Sequence, residues 1–308
     1  MKALRLWIYT SVFTLILFSA ITFGVLLRPS GVFHTNYMSV ICDKFDRLMS
    51  IDEPKIIILG GSNCAFGIDQ DMIEEETGYK VVNMGLHAGF GHAFYTELAK
   101  RNINKGDIVL LAYEYNWVEP TAFTEIGADL VMSGIDDNIY MYRYVSKEQI
   151  PSLIGYLPTY ASEKRQAQEA DGIYSREAFD PVSTQLSMEI EGIYEYDPVI
   201  NGPFTLNTNI SENSVNYLKG LKSFVEGKGA KIYFVATPVA RESVENDYRE
   251  FDELKSLEEN LIGIEYLSDP KDYLFDGTLM YDTKYHCNTK GMKKRTELLI
   301  EDLKKVDL

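Results

Sequence analysis

The sequence predicts an α/β fold in which helices cover both faces of a parallel sheet. Short aliphatic runs such as Lys55-Ile-Ile-Ile-Leu59 alternate with longer segments of helical periodicity. Runs that are apolar at every position are typical of strands buried on both faces. Turn signals such as Lys105-Gly106 separate the two kinds of segment. This alternation is the pattern of βαβ units.

Each element has its own local signal. Asp69 and further acids open one helix, where they complement the helix dipole, and Ser211 and Asn288 are good N-caps for two others. The strands are predicted at residues 55–59, 81–84, 107–114, 230–236 and 264–267. The helices are predicted at residues 37–49, 69–77, 91–102, 211–226, 246–260 and 288–304.

An apolar segment opens the chain. The twenty-two positions from Leu6 to Leu27 carry no charge, and as a helix they would span roughly 33 Å, the thickness of a bilayer core. We interpret residues 1–28 as a single-pass transmembrane anchor. Lys2 and Arg5 precede the run, so we expect the main domain on the extracytoplasmic side of the cell membrane. A cleaved signal peptide is the alternative, but the run is long for one and its cleavage site is weak.

The rest of the chain is predicted to be a connecting segment, 29–53, and one α/β domain, 54–308. The strand–helix alternation lapses between about 117 and 205, where eight tyrosines fall between Tyr140 and Tyr196. We interpret this stretch as an insertion that caps the domain. Its tyrosines would either stack on a glycan or pack as a hydrophobic cap, and packing is the favoured interpretation.

Charge and cysteine content disfavour several classes of function. The formal net charge is −16, so the surface would repel phosphate backbones, and nucleic acid is not an expected partner. No Cys-x-x-Cys pair occurs, and no metal site is predicted. Cys42, Cys64 and Cys287 are expected to be small buried residues rather than a disulfide framework.

Several polar positions are predicted to lie on one rim of the sheet. In open parallel sheets, sites lie outside the carboxyl ends of the strands. Ser62 follows the first strand, Gly85 the second, and Asn116 lies just beyond the third. His286 comes after the fifth strand, directly before the last helix. A serine and a histidine that converge there, with an acid, would make a usable nucleophile.

Ser62 is the candidate nucleophile. It follows Gly60 and Gly61 at the end of a buried run, which would present its hydroxyl at a tight turn. An ordinary βα turn, with the serine as a helix cap, explains these residues alone equally well. Phosphate binding is disfavoured because the Gly-Lys-Ser/Thr of a P-loop is missing. Dinucleotide binding is disfavoured because Asn83 stands where a ribose-binding acid is expected.

His286 is the candidate general base. Asp282 lies one turn upstream, where it would accept the Nδ1 proton and stabilise the imidazolium, and Asp276 is the second choice. His87 and His92 compete for the role of base, because the glycine-rich loop after the second strand also reaches the rim.

Donors for an oxyanion are expected around the same turns. Developing negative charge needs two or three preorganised donors. The backbone amides near Ser62 and Asn63 are candidates, together with Gly85 and Asn116. Gly85 and Asn116 are also explained as a turn glycine and a loop residue.

These segments resemble the SGNH (GDSL-like) hydrolase superfamily. The resemblance is to its membrane-anchored bacterial branch, which includes the D-alanyl transfer protein DltD and polysaccharide O-acetylation proteins. Gly60-Gly61-Ser62-Asn63 resembles the first sequence block, Asn83-Met84-Gly85 the second, and residues 282–291 the last. The resemblance implies a flavodoxin-like three-layer α/β/α sandwich. It also implies ester hydrolysis or acyl transfer without a cofactor, with Gly85 donating its amide.

Two positions depart from the family pattern, and the resemblance covers only roughly residues 54–116 and 230–305. The family's acid stands three residues before the histidine, where this chain has Thr283; Asp282 is four residues before it. The family's third block reads Gly-x-Asn-Asp, and here Ala112-Tyr-Glu114-Tyr-Asn116 occupies the place. Either Asn116 or Glu114 would then face the site.

The sequence as a whole predicts a membrane-tethered serine esterase or O-acyltransferase that acts on acyl esters of cell-envelope glycans. Its triad would be Ser62, His286 and Asp282. The expected partners are an acylated glycan or cell-envelope polymer and the membrane. The alternative is a catalytically degenerate module that binds glycan or docks onto a membrane acyltransferase. The unusual Asp–His spacing favours that alternative.

Overall fold

A five-stranded parallel sheet forms the centre of the molecule. The computed structural model describes residues 2–28, 30–166, 169–197, 204–244 and 249–306. The described strands are β1 Lys55–Gly60, β2 Lys80–Asn83, β3 Ile108–Ala112, β4 Lys231–Phe234, β5 Val239–Ala240, β6 Glu265–Tyr266 and β7 Leu274–Phe275. The main sheet has the order β2-β1-β3-β4-β6, and all its pairs are parallel. This is the flavodoxin-like order, and β5 and β7 pair separately.

Helices pack on both faces of the sheet, and a further helix lies at the start of the described chain. The α-helices of the described residues are α1 Lys2–Leu26, α2 Gly31–Thr35, α3 Val40–Ser50, α4 Ser62–Ala65, α5 Gln70–Thr77, α6 His92–Ala99, α7 Ala128–Gly134, α8 Ile150–Gln166, α9 Glu212–Gly227, α10 Arg249–Ile262 and α11 Thr289–Leu303. The predicted caps act as expected: Ser211 and Asn288 accept backbone N–H groups at the starts of α9 and α11. Asp69 caps the start of α5 in the same way.

The two faces of the sheet build two separate cores. Ile57 and Leu59 of β1 join the apolar residues of α3, α6, α9 and α10. Ile56 and Ile58 join those of α5 and α11 on the opposite face. Side chains alternate along a strand, so one aliphatic run serves both cores. The helices on both faces complete a three-layer sandwich, and the predicted fold class is confirmed.

Most predicted boundaries agree with the structure to within one or two residues. The start of the helix predicted at 246–260 lies outside the described residues, and α10 is described from Arg249 onward. Strands β5 and β7 were not predicted, because two residues carry no readable periodicity. The segment predicted to connect anchor and domain, 29–53, contains α3, whose Val40, Ile41 and Leu48 are buried in the core. The division of the chain at residue 54 stays a prediction.

The stretch 117–205, which the sequence predicts to be an insertion, contributes to the core. It contains α7 and α8, and Val131 and Met132 of α7 are buried. Of its eight tyrosines, Tyr140 is 74% exposed, and the others are buried or half-buried. Most of these aromatic rings therefore pack against the protein, and few are open for stacking on a ligand.

Helix α1 packs against the core near its end, through the half-buried Val25 and Leu26. None of its residues is buried, and it is long and apolar enough to cross a membrane. Its end meets the insertion, where the Lys164 side chain donates a 2.9 Å hydrogen bond to the carbonyl oxygen of Val25.

A buried ion pair joins the starts of β1 and β3. Lys55 Nζ lies 3.0 Å from Asp107 Oδ2, and both side chains are fully inaccessible. The Asp107 carboxylate also accepts the backbone N–H groups of Lys55 and Asn104. Removing one partner of such a pair leaves an uncompensated charge in the core.

We predict that Lys55→Met lowers the free energy of unfolding by about 3 kcal/mol. This value is at the low end of the range for a broken buried ion pair, because Asp107 keeps its two backbone N–H donors. Urea denaturation of the detergent-solubilised full chain measures it. Lys80→Met is the control, since its ammonium group pairs with Glu74 while 52% exposed, and we expect a loss below about 1 kcal/mol. Equal losses in the two variants would contradict the prediction.

Candidate active site

The turn that carries Ser62 is held by close packing on both sides. Strand β1 ends at Gly60, and Ser62 is the first residue of α4. A Cβ at Gly60 would lie 2.5 Å from the carbonyl oxygen of Ala112. A Cβ at Gly61 would lie 2.4 Å from Glu114 Oε1. A side chain at residue 60 is therefore excluded by the backbone of β3, and one at residue 61 would have to displace the Glu114 carboxyl.

Asn63 and Arg295 clamp this turn to the rest of the domain. The Asn63 side chain donates a 3.1 Å hydrogen bond to the carbonyl oxygen of Ala112. Arg295 of α11 is 1% exposed, and it donates to Asn63 Oδ1 at 2.7 Å and to the Asn63 carbonyl oxygen. The sequence prediction missed Arg295. Its helical spacing from the buried Gly291 and Leu299 would have placed it on the inner face.

The structure brings Ser62, His286 and Asp282 together. His286 Nε2 lies 2.8 Å from Ser62 Oγ, and His286 Nδ1 lies 2.8 Å from Asp282 Oδ1. Thr283, which stands where the resembling family has its acid, instead accepts the backbone N–H groups of Tyr285 and His286 through Oγ1. This tight turn allows an aspartate four residues upstream to reach the imidazole.

Aromatic side chains enclose the acid–histidine pair. The Tyr174 hydroxyl donates to Asp282 Oδ2, and Phe66 packs on His286 with ring centroids 4.9 Å apart. Tyr37 contacts both Tyr174 and Phe66. Partial burial acts to raise the pKa of Asp282, but hydrogen bonds from His286 and Tyr174 outweigh it and lower that pKa. Tyr174 belongs to the insertion, and no sequence pattern linked it to the site.

The other residues proposed as base or acid, His87, His92 and Asp276, have different contacts. His87 accepts the backbone N–H of Gly89 through Nδ1, and burial lowers its pKa. His92 is buried, and burial lowers its pKa as well. Asp276 caps the following turn by accepting from Thr278. Of the candidates named from sequence, His286 with Asp282 is the pair in contact with the serine hydroxyl.

Two of the predicted oxyanion donors have hydrogen-bond acceptors within the protein. The backbone N–H of Asn63 donates to Glu114 Oε1 at 3.2 Å. The backbone N–H of Gly85 donates to Asn83 Oδ1 at 3.0 Å. A glycine is favoured at this position because neighbouring atoms leave little space for a Cβ, and not because of a positive φ. Asn116 is exposed on the 3₁₀ segment after β3. The Asn63 and Gly85 amides are therefore engaged, and Glu114 rather than Asn116 contacts the serine turn. The role of these residues as oxyanion donors stays a prediction.

A cavity of about 410 Å³ lies between the loops that follow β2 and β3, with Gly91, His92 and Asn116 in its wall. Because β1 lies between β2 and β3 in the sheet, these loops flank the serine turn on the same rim. Among the described residues, no group of three or more His, Cys, Asp or Glu side chains could hold a metal ion.

Comparison with known proteins gives little beyond this geometry. No protein-family model matches the sequence, and no curated protein matches it. Among solved structures, the chain is similar to the crystal structure of protein YxiM from Bacillus subtilis, with a TM-score of 0.39 and 13% identity. The alignment covers 83% of this chain and 57% of that one. So distant a likeness carries no functional information, and the site geometry stands alone.

We predict that the stability contributed by Asp282 depends on pH. Its folded pKa is below the ordinary value of 3.8, so its ionisation stabilises the fold above that value and stops doing so as pH falls through the lowered pKa. Asp282→Asn should therefore destabilise the chain more at pH 6 than at pH 3, which lies below the ordinary value. Denaturant unfolding at both pH values measures this, with the exposed Asp272→Asn as control. A loss that is the same at both pH values would refute the prediction.

Proposed function

We propose that this protein is a membrane-tethered serine esterase or O-acyltransferase that acts on acyl esters. The observation that carries the proposal is the hydrogen-bonded series Ser62 Oγ, His286 and Asp282, with 2.8 Å at each step. A serine hydroxyl becomes a usable nucleophile when a base takes its proton and an acid orients that base.

The first half of the reaction forms an acyl-enzyme. Ser62 Oγ attacks the ester carbonyl carbon while His286 Nε2 takes the hydroxyl proton, and the carbonyl oxygen becomes an oxyanion. Asp282 holds the Nδ1 proton and stabilises the imidazolium. The intermediate collapses when the bond to the alkoxy oxygen breaks, and His286 returns the proton to the leaving alcohol. The acyl group then remains on Ser62 as an ester.

The second half releases the acyl group. Water or an acceptor hydroxyl loses its proton to His286 as it attacks the acyl carbon, and Ser62 leaves with that proton. Water gives a carboxylic acid, and an alcohol gives a new ester, so the same residues serve hydrolysis and transfer.

The proposed attachment to the membrane depends on α1. Most apolar side chains of this helix are exposed, and Lys2 and Arg5 at its start favour a cytoplasmic N-terminus. The site would then face the cell envelope, where an acylated glycan or other envelope polymer is the proposed substrate. The tyrosines of the predicted insertion are largely packed and offer little surface on which a sugar ring could stack. Polar groups of the rim would therefore bind the hydroxyl groups of the substrate.

A second candidate function is a catalytically degenerate module that binds glycan or docks onto a membrane acyltransferase. The observation that favours it is the state of the rim: the Asn63 and Gly85 amides are engaged, and the Glu114 carboxyl lies against the serine turn. An ionised carboxyl there would oppose an oxyanion.

We predict that a fluorophosphonate probe labels the detergent-solubilised protein at Ser62 and that Ser62→Ala abolishes the labelling. Turnover of p-nitrophenyl acetate should fall by about 10⁶-fold in Ser62→Ala and by about 10⁴-fold in Asp282→Asn. Ser223→Ala, an exposed serine on α9, is the control and should match the wild type.

Folded wild-type protein that neither reacts with the probe nor turns over the ester would favour the degenerate module. Labelling that persists in Ser62→Ala would place the nucleophile elsewhere. Adding oligosaccharide acceptors to the assay separates transfer, which gives an acylated sugar, from hydrolysis, which gives only the acid.

We predict that α1 anchors the protein without being removed. In a bacterial host, the full chain should stay with membranes after alkaline extraction and keep its N-terminus in mass spectrometry, because about 20 apolar residues suffice to span a bilayer. A variant without residues 2–28 should be released. A mature protein that begins beyond residue 20 would establish a signal peptide instead.

A further inference from the structure

A basic cavity lies where the chain leaves its apolar first helix. Its volume is about 500 Å³, and its wall is formed by the end of α1, the start of α2 and the last two turns of α8. Among the described residues that line it, Arg28, Lys164 and Arg165 are the charged ones. The chain as a whole has 46 acidic and 30 basic residues. The wall of this cavity is therefore opposite in charge to the protein around it.

The wall is held in place by the buried carboxylate of Asp136. Asp136 Oδ1 lies 2.5 Å from Lys164 Nζ, and Asp136 Oδ2 accepts the backbone N–H of Ser30 at 2.6 Å. Lys164 also donates its 2.9 Å hydrogen bond to the carbonyl oxygen of Val25. These contacts join α8 to the end of α1 and to the segment that follows it. The cavity is thus a fixed feature of the fold.

Two positive charges in the wall are available to a ligand. Lys164 is compensated by Asp136, whereas Arg28 and Arg165 are exposed. No carboxylate in the described part of the chain forms an ion pair with either arginine. A guanidinium is always charged and binds phosphate oxygens through two parallel hydrogen bonds. The cavity therefore suits a phosphate group.

The location of the cavity indicates which phosphate compound it would bind. Arg28 directly follows the uncharged run Leu6–Leu27, so in a membrane its guanidinium would lie at the level of the lipid headgroups. Ile21 and Phe23, in the last turns of α1, are 57% and 60% exposed. They would lie in the hydrocarbon next to the cavity. A ligand that fits both surroundings has a phosphate head and apolar tails.

Neither membrane insertion nor overall charge explains basic residues at this end of α1. Positive residues normally flank a membrane helix on its cytoplasmic side, where this chain has Lys2 and Arg5. The net charge of −16 would repel the domain from an anionic bilayer. Basic groups gathered around a cavity at the extracytoplasmic end therefore indicate a specific contact with the membrane.

We infer that this cavity binds the phosphate headgroup of an anionic phospholipid in the extracytoplasmic leaflet. Arg28 and Arg165 bind the phosphate oxygens, and Lys164 supports the wall between them. The bound lipid holds the domain against the membrane surface next to its anchor. This inference rests on α1 spanning the membrane, as proposed above, and not on the chemistry of Ser62. No covalent bond forms or breaks.

Native mass spectrometry of the detergent-solubilised full chain tests the inference by titration with defined lipids. Dioleoyl phosphatidylglycerol should bind about tenfold more tightly than dioleoyl phosphatidylcholine, because its headgroup carries a net negative charge. The double variant Arg28→Gln, Arg165→Gln should weaken phosphatidylglycerol binding about 30-fold, since each basic residue near a membrane contributes a factor of about five. Inorganic phosphate should not displace the lipid.

The matched control is the double variant Arg143→Gln, Lys293→Gln. Both residues are exposed and lie outside the wall of the cavity, so the control loses the same charge from other parts of the surface. It should bind phosphatidylglycerol as the wild type does. An equal loss of binding in the two double variants would mean that total charge, and not the cavity, attracts the lipid.

A further variant tests the cavity without changing its charge. Gly24 lines the cavity, and a Cβ there would have no atom within 4 Å. Gly24→Leu should therefore fill the cavity without a clash, keep both arginines and abolish the preference for phosphatidylglycerol. Gly220→Leu is its control, because Gly220 is an exposed glycine of α9 with equally open surroundings. It should leave lipid binding unchanged.

Several outcomes would overturn the inference. Equal affinity of the wild type for the two lipids would exclude a site for an anionic headgroup. A Gly24→Leu variant with unchanged preference would exclude the cavity as the place of binding. Displacement of the lipid by an equal concentration of inorganic phosphate would identify a free anion as the ligand. Ester turnover should be the same in all these variants, so a chain without turnover would overturn the proposed acyl chemistry and not the lipid site.

Discussion

The geometry of the site depends on how tightly the end of β1 is clamped. The Ala112 carbonyl leaves no room for a side chain at Gly60, and the Glu114 carboxyl fills the space beside Gly61. Asn63 bonds to β3, and the buried Arg295 bonds Asn63 to α11. The serine turn is thus fixed relative to β3 and to α11, the helix that follows the loop of His286. Catalytic constellations need such rigid support, since a small displacement of the reacting atoms is costly.

The acid of the candidate triad is positioned by the insertion as well as by its own loop. Thr283 closes the turn that lets Asp282 reach His286, and Tyr174 supplies a second hydrogen bond from the insertion. The tyrosine-rich stretch therefore does more than fill space. It completes the environment that keeps Asp282 ionised and His286 correctly oriented.

The rim places a buried carboxyl at the same turn as the candidate nucleophile. Ser62, His286 and Asp282 are arranged for nucleophilic attack, and Glu114 accepts the backbone N–H of Asn63 beside Ser62. The net charge of the chain, −16, gives no general stabilisation to an anion. Stabilisation of an oxyanion would therefore depend on local hydrogen-bond donors of the rim.

The sequence by itself determined the parallel sandwich, the apolar first helix and the location of Ser62 and the Asp282–His286 segment. These features follow from local patterns: periodicity, glycine turns and helix caps within a few residues. Only the tertiary structure decided the contacts of Arg295, Tyr174 and Glu114, whose partners lie 232, 108 and 51 residues away. It likewise decided that the Asn63 and Gly85 amides are engaged. Contacts across such separations depend on how helices and loops pack onto the sheet, which no local pattern encodes.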